Sequence, residues 1–153
     1  MIKLKELIKC LGISIGVGVV SAVLNAKSMS SYKNINLPPL SPASIVFPIV
    51  WSILFILMGI SSYLICVSRN SDRKKALRIY AVQLVLNFIW SPIFFGLNMY
   101  LLAFFDLVLL WIAVLWMIIE FYKINKVSAW LQFPYILWLT FAGYLNFAIF
   151  LLN

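Results

Sequence analysis

The stretch SIVFPIVWSILFILMGISSYLICV, residues 44–67, contains no charged residue over its whole length. An α-helix rises 1.5 Å per residue, so about 20 residues cross the roughly 30 Å hydrocarbon core of a bilayer. This stretch is therefore long and apolar enough to be a transmembrane helix. Similar apolar runs lie on either side of it. Together they predict five spans, at about residues 7–26, 44–67, 77–97, 101–122 and 128–151.

The composition of the whole chain agrees with a membrane protein. Apolar residues make up 65% of the 153 residues, charged residues make up 10%, and the mean hydropathy is +1.06. A soluble domain carries about 25% charged residues. Because the connections between the spans are short, we predict one transmembrane domain over residues 1–153, an all-α bundle with up-and-down topology.

The basic residues are distributed unevenly between the two ends of the predicted bundle. Lys27 and Lys33 lie on one side, and ten lie on the other: Lys3, Lys5, Lys9, Arg69, Arg73, Lys74, Lys75, Arg78, Lys123 and Lys126. Basic residues near span ends are retained in the cytoplasm, so we predict a cytoplasmic amino terminus and an outside carboxyl terminus, in a bacterial cell membrane. Topology and contact with anionic lipid account for the net charge of +8, and we expect no nucleic-acid partner.

Histidine and cysteine usage narrows the chemistry. The chain has no histidine and two cysteines, Cys10 and Cys66, which lack a C-x-x-C partner and for which we expect a packing role. Without histidine there is no Ser-His-Asp triad, no ordinary catalytic zinc site and no histidine ligand for haem iron. We therefore predict no metal site and no resident cofactor.

The one long connection, residues 27–43, is rich in proline. Pro38, Pro39 and Pro42 fix φ and remove backbone donors, so the end of this loop is predicted to be extended and stiff. Two readings stay open: a rigid strap that joins two helices, or a lid over the outer mouth of the bundle.

Polar and bulky residues share one face of each predicted span. In the third span, for example, Gln83, Asn87 and Trp90 fall on one stripe when each residue advances by 100°. Polar groups left unpaired in hydrocarbon are costly, so each stripe is predicted to face the interior, where all five converge on one space. The stripes are either interhelical hydrogen-bonding groups or the lining of a ligand site. Trp51, Trp90 and Trp138 favour a lining, because a large ring beside small and amide side chains offers a stacking plane.

Motifs at fixed spacings carry a resemblance over nearly the whole chain. They are Tyr32 before the proline-rich stretch, Phe47-Pro48-x-x-Trp51-Ser52, Gln83-x-x-x-Asn87-x-x-Trp90-Ser91-x-x-Phe94-Phe95, Asp106, and Pro134-Tyr135-x-x-Trp138-x-x-Phe141-Ala142-x-x-Leu145-Asn146. In these elements and their order the chain resembles the TspO/MBR family, the tryptophan-rich sensory proteins and translocator proteins once called peripheral benzodiazepine receptors.

The resemblance implies a five-helix bundle with a pocket beneath the first loop that binds porphyrins and, in relatives, isoquinoline and benzodiazepine-type compounds. The family pocket positions and the stripes together predict these ligand-binding residues: Tyr32, Pro48, Trp51, Asn87, Trp90, Ser91, Phe94, Tyr135, Trp138, Ala142 and Asn146. Trp51 and Trp138 match two tryptophans linked to light-dependent porphyrin breakdown, and they would be catalytic only if such breakdown takes place here.

The chain also departs from the family pattern in two places. Leu40-Ser41-Pro42-Ala43 stands where many members read Trp-x-Pro-Pro, so a tryptophan contribution from the loop is missing. No basic residue follows Tyr144, so we expect no cholesterol motif of the kind described in animal members.

Three classes of function fit such a site: a binding or sensory protein, an enzyme, and a transporter. Asp106 and Glu120 lie more than three helical turns apart in one span, so they do not form a paired acid and base, and we favour a binding or sensory protein for porphyrins, with transport as the alternative. We expect Asp106 to be a hydrogen-bonded structural group or a polar group at the cavity mouth.

The first span contains Gly12-x-x-x-Gly16, a spacing that lets two helix backbones approach closely. It predicts either a homodimer contact or packing against another helix of the same chain. Relatives in the resembled family are commonly dimeric, which supports dimerisation without placing the contact on this helix.

Overall fold

The computed structural model describes residues 3–26 and 35–153, which are helical with no strand among them. The helices are α1 (Leu4–Asn25), α2 (Val46–Cys66), α3 (Arg73–Ser91), α4 (Tyr100–Ile124), α5 (Lys126–Leu131) and α6 (Phe133–Leu152), and a π-helical turn, Pro92–Gly96, follows α3 directly. Five helical segments in the described ranges are long and apolar enough to cross a membrane, α5 and α6 together forming the fifth. The predicted five-helix transmembrane bundle is confirmed.

Two boundaries differ from the predicted spans. α3 begins at Arg73, four residues before the predicted start of the span. The helix extends beyond the hydrocarbon core, and its first turn can therefore contain charged residues that a transmembrane segment does not. The fifth span contains a break at Gln132, with α6 starting at Phe133 and Pro134 in its first turn. Proline fits the first turn of a helix, where its missing N–H has no partner to lose. Asn125 marks the start of α5, since its side chain accepts a hydrogen bond from the Ser128 amide at 3.1 Å.

α1 packs mainly on α2, while α4 packs on α3, α5 and α6. We call the end of the bundle with the first loop, where α1 ends and α2 begins, the loop end. The opposite end, where α1 begins and α3 starts at Arg73, is the basic end. Close contact between α1 and α2 occurs toward the basic end, where a Cβ atom built on Gly59 would lie 2.9 Å from the Leu11 Cα atom. The Ser14 hydroxyl donates to the Phe55 carbonyl, and the Lys3 amide donates to the Tyr63 hydroxyl at 3.0 Å.

The two carboxylates of α4 have different surroundings. Glu120, at the basic end, forms ion pairs with Lys75 at 3.1 Å and with Lys123 at 2.9 Å. The pair with Lys75 joins the start of α3 to the end of α4. Asp106 is buried, and within the described part of the chain its Oδ2 atom has no hydrogen-bond partner. It does not line the cavity either. Both roles predicted for Asp106 therefore stay predictions.

Candidate functional site

A cavity of about 130 Å³ lies between α1, α2 and the end of α3, close to the loop end. Its lining among the described residues is mostly apolar and includes no charged side chain: Gly18, Ser21, Ala22, Asn25, Phe47, Pro48, Trp51, Phe55, Asn87, Trp90, Ser91 and Phe95. Two indole rings and two carboxamides, those of Asn25 and Asn87, thus border one apolar space. This combination suits a flat hydrophobic ligand with a small number of polar atoms at its edge.

Hydrogen bonds hold the Trp90 ring in one orientation. Its Nε1 atom donates to Asn146 Oδ1 at 3.0 Å, and Asn146 Nδ2 donates to the Tyr100 carbonyl at 2.8 Å. The Phe94 ring stacks on the Trp90 ring with centroids 5.0 Å apart and planes 24° apart. Asn146 and Phe94 therefore support the wall of the cavity without lining it.

The π-helical turn shapes the same wall. Pro92 lacks an N–H, so the α-helical hydrogen-bond pattern of α3 cannot continue through it, and the Leu97 amide donates instead to the Pro92 carbonyl at 3.0 Å. Ser91 and Phe95, one just before the turn and one within it, both line the cavity. Single π-helical turns are rare and often occur at functional sites.

A buried hydrogen-bond chain lies behind the Asn87 side chain. The Tyr135 hydroxyl accepts from Asn87 Nδ2 at 2.7 Å and donates to Gln83 Oε1 at 2.9 Å. Tyr135 is 1% exposed and Gln83 is fully buried, so neither reaches the cavity. The edge of the Tyr135 ring meets the Trp51 ring, with centroids 6.2 Å apart.

The third tryptophan of the predicted set, Trp138, does not line the cavity. Trp138 of α6 lines a groove with Val50 and Ile53 of α2, on a surface separate from the cavity. Its Nε1 atom is buried and has no hydrogen-bond partner among residues 3–26 and 35–153. Ala142 is packed in the hydrophobic core.

The structure thus brings five of the predicted ligand-binding residues together around the cavity: Pro48, Trp51, Asn87, Trp90 and Ser91. Phe94, Tyr135 and Asn146 support that wall from behind. Trp138 does not line the cavity, but its ring meets that of the lining residue Phe47 with centroids 5.9 Å apart. Ala142 is packed in the core. Tyr32 lies outside the described residues. Of the two readings of the stripes, the polar groups of α6 follow the first, because they form interhelical hydrogen bonds with α3.

Seven lining residues are absent from the predicted set: Gly18, Ser21, Ala22, Asn25, Phe47, Phe55 and Phe95. Gly18, Ser21 and Asn25 share one face of α1, so helical periodicity could have grouped these three. Phe47 and Phe95 belong to the motifs that carry the family resemblance. Ala22 has no polar group and no distinctive spacing, so only the packing of α1 on α2 shows that it borders the cavity.

A groove between α1 and α2, of about 220 Å³, adjoins the cavity. Gly18, Ala22, Pro48, Trp51 and Phe55 line both spaces. These five residues therefore lie where the cavity and the groove meet.

Comparison with known proteins adds to this geometry, since the sequence model of the TspO/MBR family matches residues 10–152. The chain belongs to the TspO/MBR family. It is 35% identical to the Tryptophan-rich protein TspO of Chlorobaculum tepidum, over 94% of this chain and 93% of that protein. It is 37% identical to the protein of the same name from Archaeoglobus fulgidus, over 91% of each. It is 32% identical to the human Translocator protein, over 89% of this chain and 82% of the human one.

The first loop of this TspO/MBR protein is attached to α6 at two points. The Asn36 amide donates to Asn153 Oδ1 at 2.9 Å, and Asn153 Nδ2 donates back to the Asn36 carbonyl at 3.1 Å. Nearer the cavity, the Tyr144 hydroxyl donates to the Pro39 carbonyl at 3.0 Å. Leu40, which stands where many family members have tryptophan, adopts a φ of 70° and is 80% exposed. The described part of the loop therefore crosses the bundle from α6 to α2.

Proposed function

We propose that this TspO/MBR protein binds flat hydrophobic ligands inside the membrane, porphyrins among them, and acts as a sensor for them. The observation that carries the proposal is the cavity bordered by Trp51, Trp90 and Asn87, whose described lining residues carry no charge. Apolar ring faces supply area, and one amide supplies a polar contact at the ligand edge. The names of relatives, among them the Tryptophan-rich sensory protein of Cereibacter sphaeroides, agree with a sensory role.

The size of the cavity determines how a porphyrin would bind. A volume of about 130 Å³ is smaller than the roughly 300–1,000 Å³ of sites that enclose a drug-sized ligand. A porphyrin would therefore insert one edge into the cavity and extend into the adjoining groove between α1 and α2. The ring would then lie against Trp51, which borders both spaces.

This placement assigns different roles to the two tryptophans that match the photochemical positions. A tryptophan in contact with an excited porphyrin can donate an electron to it, and no acid or base is required. Trp51 lies at the cavity, whereas Trp138 lies in the separate groove of α2 and α6. We propose light-dependent breakdown as an accompanying activity, in which Trp51 is the principal donor of one electron to the excited porphyrin, leaving an indole radical cation and a porphyrin radical anion. Dissolved dioxygen is the oxidant that the subsequent breakdown requires.

The test uses purified protein in lipid nanodiscs. Protoporphyrin is titrated in the dark against tryptophan fluorescence, and its absorbance is then followed under illumination. In Trp51→Phe we expect affinity within about tenfold of the wild type, since a phenyl ring keeps much of the apolar area, and light-dependent loss slowed at least tenfold. The same change in Trp138→Phe should slow the loss less. Failure of the wild type to bind protoporphyrin would overturn the proposed function.

Transport is the alternative, and the human relative is named Translocator protein. A transported molecule would need a path from the cavity to the basic end. Met58, Val114 and Met117 form a packed core on that path and are fully buried. Protoporphyrin uptake into liposomes that contain the protein, above that of protein-free liposomes, would favour transport over sensing.

We propose further that the basic end faces the cytoplasm, because ten of the twelve Lys and Arg residues lie on that side of the sequence-predicted topology. The test introduces one cysteine at a time, Lys33→Cys or Lys74→Cys, into a chain whose own two cysteines are replaced by alanine. The two variants should react with a membrane-impermeant thiol reagent from opposite sides of the membrane. Lys33→Cys should label from outside in intact cells, and Lys74→Cys only after the cells are opened. Labelling of both positions from one side contradicts this topology.

We propose also that the protein forms a homodimer through the Gly12 and Gly16 face of α1. A Cβ atom built on either glycine has no heavy atom of the described residues within 4 Å, so these glycines do not pack against another helix of the same chain in that part of the structure. Gly16→Ile should therefore make the protein monomeric by light scattering while protoporphyrin affinity stays within about twofold. A variant that stays dimeric would move the contact to another face.

A further inference from the structure

The direction of each hydrogen bond behind the cavity follows from the number of protons available. A tyrosine hydroxyl carries one proton. Tyr135 uses that proton toward Gln83 Oε1, so toward Asn87 its oxygen can only accept. The Asn87 group 2.7 Å from that oxygen must therefore be the amide nitrogen.

Gln83 is oriented in turn by the core. Its Nε2 atom lies 3.9 Å from the sulfur of Met58, and a thioether accepts hydrogen bonds weakly but never donates them. The nitrogen of the Gln83 amide therefore belongs on the Met58 side and the oxygen on the Tyr135 side. Both Gln83 and Met58 are fully buried, so this orientation is independent of anything in the cavity.

The orientation of Gln83 and Tyr135 determines which atom of the Asn87 amide is available to the cavity. With Nδ2 turned to Tyr135, the Oδ1 atom of Asn87 is left for the cavity, and no group in residues 3–26 and 35–153 donates a hydrogen bond to it. Asn25, the other amide of the lining, also has its nitrogen engaged, since Nδ2 donates to the Ser21 carbonyl at 2.7 Å. Among the described residues, therefore, no donor to the oxygen of either amide is found.

We propose that Asn87 is a specificity-determining residue: a fixed hydrogen-bond acceptor that selects flat, neutral ligands carrying an N–H or O–H donor at the ring edge. Gln83 and Tyr135 are positioning residues, because they set the direction of the amide without lining the cavity. This inference rests on the proposed function, since it names the class of ligand that the same site takes. A carboxylate would be disfavoured beside Oδ1, so porphyrin propionates would lie outside the cavity.

The test compares two rings of nearly identical shape, carbazole with an N–H at its edge and dibenzofuran with an oxygen there. Dissociation constants are measured by calorimetry in nanodiscs, with empty nanodiscs as the blank. One net hydrogen bond corresponds to a factor of about three to ten, so the wild type should bind carbazole tighter by that factor.

Gln83→Met removes the acceptor for Tyr135. The hydroxyl proton can then turn to Asn87, whose amide rotates and presents nitrogen to the cavity, so the preference should reverse toward dibenzofuran. Tyr135→Phe removes the restraint altogether, and the two rings should bind within about twofold of each other. The matched control is Gln132→Met, the same change at a buried glutamine of the α5–α6 break that does not line the cavity, and it should keep the wild-type preference.

Equal binding of the two rings by the wild type, or a carbazole preference that survives in Gln83→Met, overturns the inference. If protoporphyrin binds while neither small ring does, the inference is also wrong, whereas the proposed function stands. If none of the three binds, the proposed function itself has failed. If Gln83→Met does not fold, the test rests on two results: tighter binding of carbazole than of dibenzofuran by the wild type, and loss of that difference in Tyr135→Phe.

Discussion

Gly59→Val is expected to destabilise the protein more than any other single change discussed, by about 3 kcal/mol or more. An added Cβ atom would lie 2.9 Å from Leu11 Cα and 3.4 Å from the Cys10 carbonyl oxygen. Both are backbone atoms of α1, so a side-chain rotation cannot relieve the overlap and the whole helix must move away from α2. The hydrogen bond from Ser14 to the Phe55 carbonyl would then be lost as well.

The matched control is the same substitution at Gly12, on the other helix of this pair. Nothing in the described residues lies within 4 Å of a Cβ atom there, so the stability of Gly12→Val should stay within about 0.5 kcal/mol of the wild type. Thermal unfolding of monomeric protein in detergent, followed by circular dichroism, measures both variants. Equal melting temperatures for Gly59→Val and the wild type would show that α1 does not pack on α2 as described.

Hydropathy alone predicts the five-helix bundle because crossing a bilayer requires length and apolar composition, and both can be read directly from the chain. The break at Gln132 is harder to predict from the sequence, because Pro134 is compatible with a continuous span as well as with the first turn of a new helix. The early start of α3 at Arg73 was missed for a related reason. A helix outside hydrocarbon no longer needs apolar residues, so composition does not mark where it begins.

The candidate site was only partly predictable for a different physical reason. Helical periodicity gives the face on which a residue lies, but not which face of another helix it meets. Asn87 and Tyr135 both lie on interior faces, yet they bond to each other and only Asn87 reaches the cavity. Asp106 shows the same limit of helical periodicity. It lies on an interior face of α4, yet it does not line the cavity, and its Oδ2 atom has no hydrogen-bond partner among the described residues.

Ala22→Trp is expected to weaken protoporphyrin binding at least a hundredfold, equivalent to about 2.7 kcal/mol. Ala22 borders both the cavity of about 130 Å³ and the adjoining groove, so an indole ring at this position would occupy the space that the porphyrin edge needs. The ring would extend into open space instead of into packed core, so the melting temperature should change little. Fluorescence titration in nanodiscs and thermal unfolding give the two readings.

Val23→Trp provides the control for Ala22→Trp, because Val23 is the next residue of α1 but is 69% exposed and lines neither space. It adds the same ring to the same helix, and affinity should stay within about twofold of the wild type. A bulky residue at Ala142, which the sequence also placed at the pocket, should instead lower stability, since Ala142 is packed in the core. If Ala22→Trp binds protoporphyrin normally, the ligand does not use this cavity. The groove that contains Trp138, between α2 and α6, would then be the site to examine.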